Sequence, residues 1–212
     1  MDESASGHPR AYVLAAHPNW RASRVNLQLL ERSRALPGVH VQDLHGAYPD
    51  YDIDVAAEQA NVQAARLIVL LHPIQWYSMP ALQKLWLDEV LRYGWAYGPG
   101  GTALRGKDLW LVATTGGRQS SYRPQGYNRY FFDAFLPPYE QTAALCGMRF
   151  LPPLVLHGAH RATAAEVQAH ADRYAERLAG YPHWPELASL DRGPAGDVPA
   201  ADRPMPLPEP GA

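Results

Sequence analysis

The chain has 212 residues, enough for one domain with a full hydrophobic core and too few for two ordinary ones. A formal net charge of −2 supplies no basic field of the kind that phosphate backbones require, so nucleic acid is not an expected partner. A single cysteine, Cys146, excludes an internal disulfide and a cysteine-built metal site, and makes reducing cytoplasm the default setting.

Residues 1–9 are polar and acidic and are expected to form a flexible N-terminus without a secretory leader. Ala11 to Ala16 is a nearly continuous apolar run that ends at His17-Pro18 and reads as a buried first strand. A helix follows from about Ser23 to Ala35, with Ser23 as N-cap and Val25, Leu29 and Leu30 on one face. Pro37-Gly38 stops it, and V-H-V-Q-D-L reads as the next strand. Asp54 to Ala65 reads as a helix, and Leu67 to Leu71 as a buried strand far too short to span a bilayer. Leu82, Leu85, Trp86 and Val90 recur at helical spacing, with Trp86 expected in the core or an interface. Leu109 to Thr114 is a further buried strand, and a long, partly helical segment runs from about Tyr127 to Cys146. A last strand is expected at Arg149 to Leu156 and a closing helix at Ala164 to Leu178.

Alternating strands and helices call for a parallel sheet covered on both faces, because parallel strands need crossover connections. Five strands point to a doubly wound α/β domain over 10–180, with the flavodoxin-like order 2-1-3-4-5. Residues 181–212, rich in Pro, Ala, Asp and Gly, read as a disordered tail.

Open sheets of this type bind ligands at the C-terminal ends of their strands. Three loops there are candidates for chemistry, each with a plainer alternative: a simple helix cap at Ser23, core packing for Trp76 and Tyr77, and an ordinary turn at Gly116-Gly117. In the first, Ser23, Arg24, Val25 and Asn26 open a helix whose free N–H groups suit a terminal phosphate, and His17 stands close by in sequence. The second, P-I-Q-W-Y-S-M-P, puts Trp76 and Tyr77 side by side after Ile74 and Gln75, where a planar ring could use their faces. The third, Thr114-Thr115-Gly116-Gly117, has two glycines that let backbone N–H groups approach a ligand closely. The loop G-P-G-G-T-A-L-R-G-K could order over a ligand or at a subunit contact. No catalytic triad, P-loop or dinucleotide fingerprint is present, and His157 and His160 lack compact metal-ligand spacing, so no metal is expected. Cys146, inside A-A-L-C-G-M, is expected to be a buried structural thiol.

In order along the chain, A-H-P, Y-P-D-Y-D-I-D-V-A-A-E-Q, H-P-I-Q-W-Y-S-M-P-A-L-Q-K-L-W-L-D-E-V, G-W-A-Y-G-P-G-G-T-A-L-R-G-K and T-T-G-G resemble the flavodoxin-like NAD(P)H:quinone oxidoreductases of the diaphorase group. The resemblance is strongest to the flavin-binding ancillary subunits of glutathione-gated potassium-efflux systems, and it covers about Tyr12 to Leu178. It implies noncovalent FMN, or FAD, with NAD(P)H as co-substrate and a quinone as acceptor. His17 and Ser23 to Asn26 would lie at the phosphate, while Ile74 to Tyr77 and Thr114 to Gly117 would hold the ring. Trp76, Tyr77 and Tyr122 would meet the substrate. A homodimer is implied, as is a potassium-efflux membrane transporter as partner at the inner face of the membrane. In the diaphorases, T-T-G-G is followed by a tyrosine and, six residues later, a histidine. Tyr122 and the Gln125-Gly126 pair fit that pattern, but Asn128 takes the histidine's place. An amide can donate a hydrogen bond there yet cannot become a cation.

Overall fold

The computed structural model describes residues 10–190; the flexible N-terminus expected at 1–9 lies outside the described residues, as does 191–212 of the expected tail. Five strands, β1 (Ala11–Ala15), β2 (Val39–Asp43), β3 (Leu67–Pro73), β4 (Asp108–Thr114) and β5 (Arg149–Leu156), form one sheet in the order β2-β1-β3-β4-β5. Every pairing is parallel. This is the flavodoxin-like order expected from the sequence.

The three central strands are buried nearly throughout, because helices cover both faces and leave no side for polar residues. Successive strand residues point to opposite faces. Val13, Val69, Trp110 and Val112 meet α1 (Arg24–Arg34) and α6 (Ala164–Gly180) on one face. Between β2 and the next long helix lies the single turn α2 (Leu44–Ala47). Tyr12, Leu14, Ile68, Leu70 and Leu111 meet α3 (Val55–Ala64), α4 (Ala81–Val90) and α5 (Pro137–Leu145) on the other face. Edge strand β5 carries Pro152 and Pro153, which lack N–H donors, and its register with β4 shifts between Trp110 and Val112. The Trp110 indole donates to the Pro152 carbonyl at that point, at 3.1 Å.

The second face is tied together at Glu58, which is fully buried on α3. Its carboxylate accepts from Tyr12 Oη at 2.6 Å, Tyr48 Oη at 2.7 Å and Trp86 Nε1 at 2.7 Å. Trp86 is therefore a core residue. Cys146 is buried as well, and burial pushes its thiol up to about 12.

The segment expected to be partly helical from about 127 to 146 holds a 3₁₀ turn, Phe132–Phe135, and α5, whose start is set by proline at its first helical positions. One expectation needs adjusting: the packed chain runs past 180. Tyr181 and Trp184 are buried; Tyr181 Oη donates to Asp108 at 2.9 Å, and the Trp184 ring meets Trp110 edge-on at 4.9 Å. Arg149 binds Asp108 through two bonds of 2.9 Å and reaches the Leu187 carbonyl at 2.7 Å. Those two aromatic residues supply the apolar area that the tail's composition conceals.

Candidate functional site

The C-terminal ends of β1, β3, β4 and β5 lead into four neighbouring loops. In the first, His17 Nδ1 accepts from the Asn19 N–H at 3.1 Å, so the neutral ring carries its proton on Nε2. Burial, and then His45, hold its pKa below the usual imidazole value. Ser23 is the N-cap of α1, as expected, but its hydroxyl caps no backbone N–H. Ser23 Oγ is buried without a hydrogen-bond partner among the described residues. Asn26 Oδ1 is in the same condition, although Asn26 Nδ2 donates to Thr114 Oγ1 at 3.0 Å and so joins the first loop to the third. Two unpartnered buried oxygens at the start of an 11-residue helix are an uncompensated cost in this state, which a ligand offering an acceptor to the Ser23 hydroxyl and a donor to Asn26 Oδ1 would remove.

The other two residues of the expected phosphate cluster point elsewhere. The Arg24 side chain is exposed and donates to the carbonyls of Ala159, at 3.3 Å, and Ala162. Val25 is in the core under α1, leaving only its backbone for a ligand.

In the second loop, Gln75 and Ser78 exchange backbone bonds of 2.9 and 3.0 Å across a two-residue turn. Trp76 and Tyr77 occupy its centre with φ of +47° and +65°, a left-handed conformation that side-chain-bearing residues seldom adopt. The turn leaves the Trp76 ring 94% exposed and sets Tyr77 against Phe135, stacked at 5.3 Å. Ile74 packs on the core, and its N–H is taken by the Thr114 carbonyl at 2.7 Å.

The third loop is where the expected pieces converge. A Cβ added to Gly117 would stand 3.2 Å from Asn128 Nδ2, 3.3 Å from Tyr122 Cε2 and 3.5 Å from the Tyr122 hydroxyl. Tyr122 and Asn128 are thus brought together over the same glycine. Tyr122 is buried, walled by Phe132 at 5.3 Å and Phe135 at 6.0 Å.

The fourth loop carries two residues that sequence reasoning left out of the site. His157 Nδ1 lies 3.1 Å from Thr115 Oγ1, and the His157 ring lies 5.2 Å from that of Tyr122. A Cβ on Gly116 would stand 3.5 Å from the His160 ring. H-G-A-H sits directly after the last strand, so the rule that found the other loops applied there too. The loop that includes G-P-G-G-T-A-L-R-G-K is tethered elsewhere, with Gly106 donating to the Gly147 carbonyl at 2.9 Å just before β5 begins. That is the end of the sheet opposite these loops. No cluster of three or more metal-ligating side chains occurs among the described residues, and no helix among them is long and apolar enough to cross a membrane.

The model of the flavodoxin-like fold family matches residues 9–178. The chain belongs to that family. A relative from Citrobacter koseri, the ancillary protein KefF of the glutathione-regulated potassium-efflux system, is 46% identical over 78% of this chain and 93% of its own length. Among solved structures, general stress protein 14 of Treponema denticola, described in complex with FMN, superposes with a TM-score of 0.75 at 36% identity, covering 80% of this chain and 98% of that one. An NADPH-quinone reductase from P. pentosaceus gives 0.72 at 26% identity, with 79% and 96% covered. A chain described as a thermophilic tryptophan halogenase gives 0.76 at 40% identity, with 79% and 97% covered. The residues matched by the family model include all four loops.

Proposed function

We propose that the chain is a flavin-dependent NAD(P)H:quinone oxidoreductase. One observation carries the reading: Ser23 Oγ and Asn26 Oδ1 are unpartnered at the start of α1, and the Asn26 amide nitrogen is bonded to Thr114, which leads into the glycine loop under Tyr122 and Asn128. That arrangement fits a flavin: the Ser23 hydroxyl and the free N–H groups of α1 can donate to a phosphate, Asn26 Oδ1 can accept from a sugar-chain hydroxyl, and close-approach glycines lie at the other end. FMN is preferred over FAD, in keeping with the FMN of the Treponema neighbour. His17, Ser23 and Asn26, with the backbone N–H groups of Arg24 and Val25, hold the phosphate and sugar chain. Ile74, Gln75 and Thr114 to Gly117 hold the ring.

A bound flavin supplies two-electron transfer between nicotinamide and quinone; the protein supplies binding, orientation and electrostatics. Trp76 and Tyr77 form the wall on which each substrate stacks in turn, and sharing one pocket gives ping-pong kinetics. The Tyr122 hydroxyl and Asn128 amide donate hydrogen bonds where negative charge collects. The chain works as a homodimer, and its transporter partner brings it to the cytoplasmic face of the membrane.

The names of the KefF relatives favour a second reading, in which flavin and nucleotide occupancy regulate a potassium-efflux transporter and turnover is incidental. Nothing in this chain's site favours the halogenase name. Anaerobic titration of the FMN-loaded protein with NADPH and with NADH separates the first two readings. Visible absorbance should bleach with nucleotide and return when a soluble benzoquinone is added. Bound FMN that neither nucleotide bleaches overturns the oxidoreductase and leaves the regulatory reading. Failure to bind FMN overturns both.

A further inference from the structure

Thr115 Oγ1 lies 2.7 Å from the Gly117 carbonyl oxygen, which can only accept, so the threonine's single hydroxyl proton is committed there. The 3.1 Å contact between Thr115 Oγ1 and His157 Nδ1 must then be a bond donated by the imidazole. The neutral ring is consequently the Nδ1–H tautomer, with its lone pair on Nε2. A relay results: His157 donates to Thr115, and Thr115 to the carbonyl of Gly117, over which Tyr122 and Asn128 sit. The family's histidine is missing at Asn128, yet an ionisable imidazole reaches the same glycine from another element.

We propose that His157 is the charge-balancing residue of this site, taking up the proton for which Asn128 has no base. The inference rests on the flavin reading above. When a hydride leaves the nicotinamide and its electron pair reaches the ring, Nε2 of His157 takes one proton from water. When the pair leaves, a quinone receives the hydride equivalent and that proton, and departs as the hydroquinone. Throughout, Nδ1–H keeps its bond to Thr115, so the glycine loop is held in both states.

The surroundings suit the role. His157 is half-buried between the rings of Tyr122 and Phe132, the latter at 5.1 Å, and burial holds its pKa below the usual value, so it starts neutral. Other ionisable groups near its loop are Arg118, whose Cγ would be 3.5 Å from a Cβ on Gly158, His160 beside Gly116, and Arg24 on the Ala159 and Ala162 carbonyls. Arg161 lies in the loop itself, and Asp133 adjoins Phe132, but no hydrogen bond or ion pair joins that carboxylate to His157 among the described residues, so no carboxylate fixes a proton on His157 before electrons arrive.

The test counts protons rather than turnovers. FMN-loaded protein, in weakly buffered solution with an indicator dye at about pH 7.5, is photoreduced anaerobically by a tertiary-amine donor without nucleotide or quinone, and the donor's own proton release, read from the same photoreaction on a viologen whose reduction takes up no proton, is subtracted. The wild type should take up two protons per two electrons, one on the ring and one on His157. His157→Asn, whose amide can still donate to Thr115, should take up one, with unchanged FMN affinity and thermal midpoint. His157→Leu should also take up one and lose several-fold in FMN affinity. One proton in the wild type, or two in His157→Asn, overturns the assignment. Because light replaces the nucleotide, a protein that NAD(P)H fails to reduce still gives this count, so the two proposals fail separately; absent FMN binding overturns both.

Discussion

Glu58 shows how a single charged residue can hold a core in place. It is sealed from water, and three neutral donors, from β1, the α2–α3 connection and α4, converge on its two oxygens. A buried carboxylate is tolerated when its lone pairs are satisfied in this way, and removing it strands every donor at once. Each orphaned buried donor costs about 1–3 kcal/mol, partly offset when an apolar side chain fills the space. Glu58→Leu should therefore lose about 3–5 kcal/mol in urea unfolding. Glu58→Gln, which keeps one carbonyl for Tyr12 and Trp86 and turns its amide to the Tyr48 oxygen, should lose about 1 kcal/mol. Equal losses would show that shape rather than donor satisfaction matters there.

Among the elements, the strands were the most legible in sequence, because burial on both faces turns each into an uninterrupted apolar run bounded by polar or proline residues. The position of T-T-G-G was legible as well, since it ends a buried strand, whereas Tyr122 and Asn128 were singled out by the family resemblance and by no local pattern. Asn26 to Thr114 and His157 to Thr115 were not legible, because they join loops far apart in the chain and leave no local pattern. Nor was the turn at Gln75–Ser78, which lacks the Gly or Asn that usually marks paired left-handed residues. Trp76 there has a positive φ and almost no packing, so the fold gains little from it and bears its strain. Trp76→Asn should raise stability by about 1 kcal/mol, roughly 2–4 °C in thermal midpoint, since Asn tolerates that conformation better. Under the proposed function it should also raise the quinone KM several-fold. A lower midpoint, or an unchanged KM, would show that the turn is not kept for its exposed ring.

The two ends of the sheet divide the work of the whole molecule. At the strands' C-terminal ends lie the loops with unpartnered oxygens and a left-handed turn, features that cost stability. At the other end, Asp108, Arg149 and Tyr181 form a buried clamp with bonds of 2.9 Å, and Lys107 donates to the Gln63 and Ala65 carbonyls at 2.7 and 2.6 Å to close α3. Residues 181–190 belong to that clamp: Trp184 joins Trp110, takes the Arg177 guanidinium over its ring at 4.1 Å, and donates to the Arg177 carbonyl at 2.7 Å. Composition hid this, because one tryptophan and one tyrosine among prolines bury area that a count of aliphatic residues misses. Removing a buried tryptophan side chain costs about 3–5 kcal/mol, so Trp184→Ala should lower unfolding stability by that amount. The clamp touches none of the four loops, so at a temperature where the variant is folded its FMN affinity should equal that of the wild type. A several-fold weaker affinity in fully folded Trp184→Ala would show instead that the two ends are coupled through β4, the strand that runs from Asp108 to Thr114.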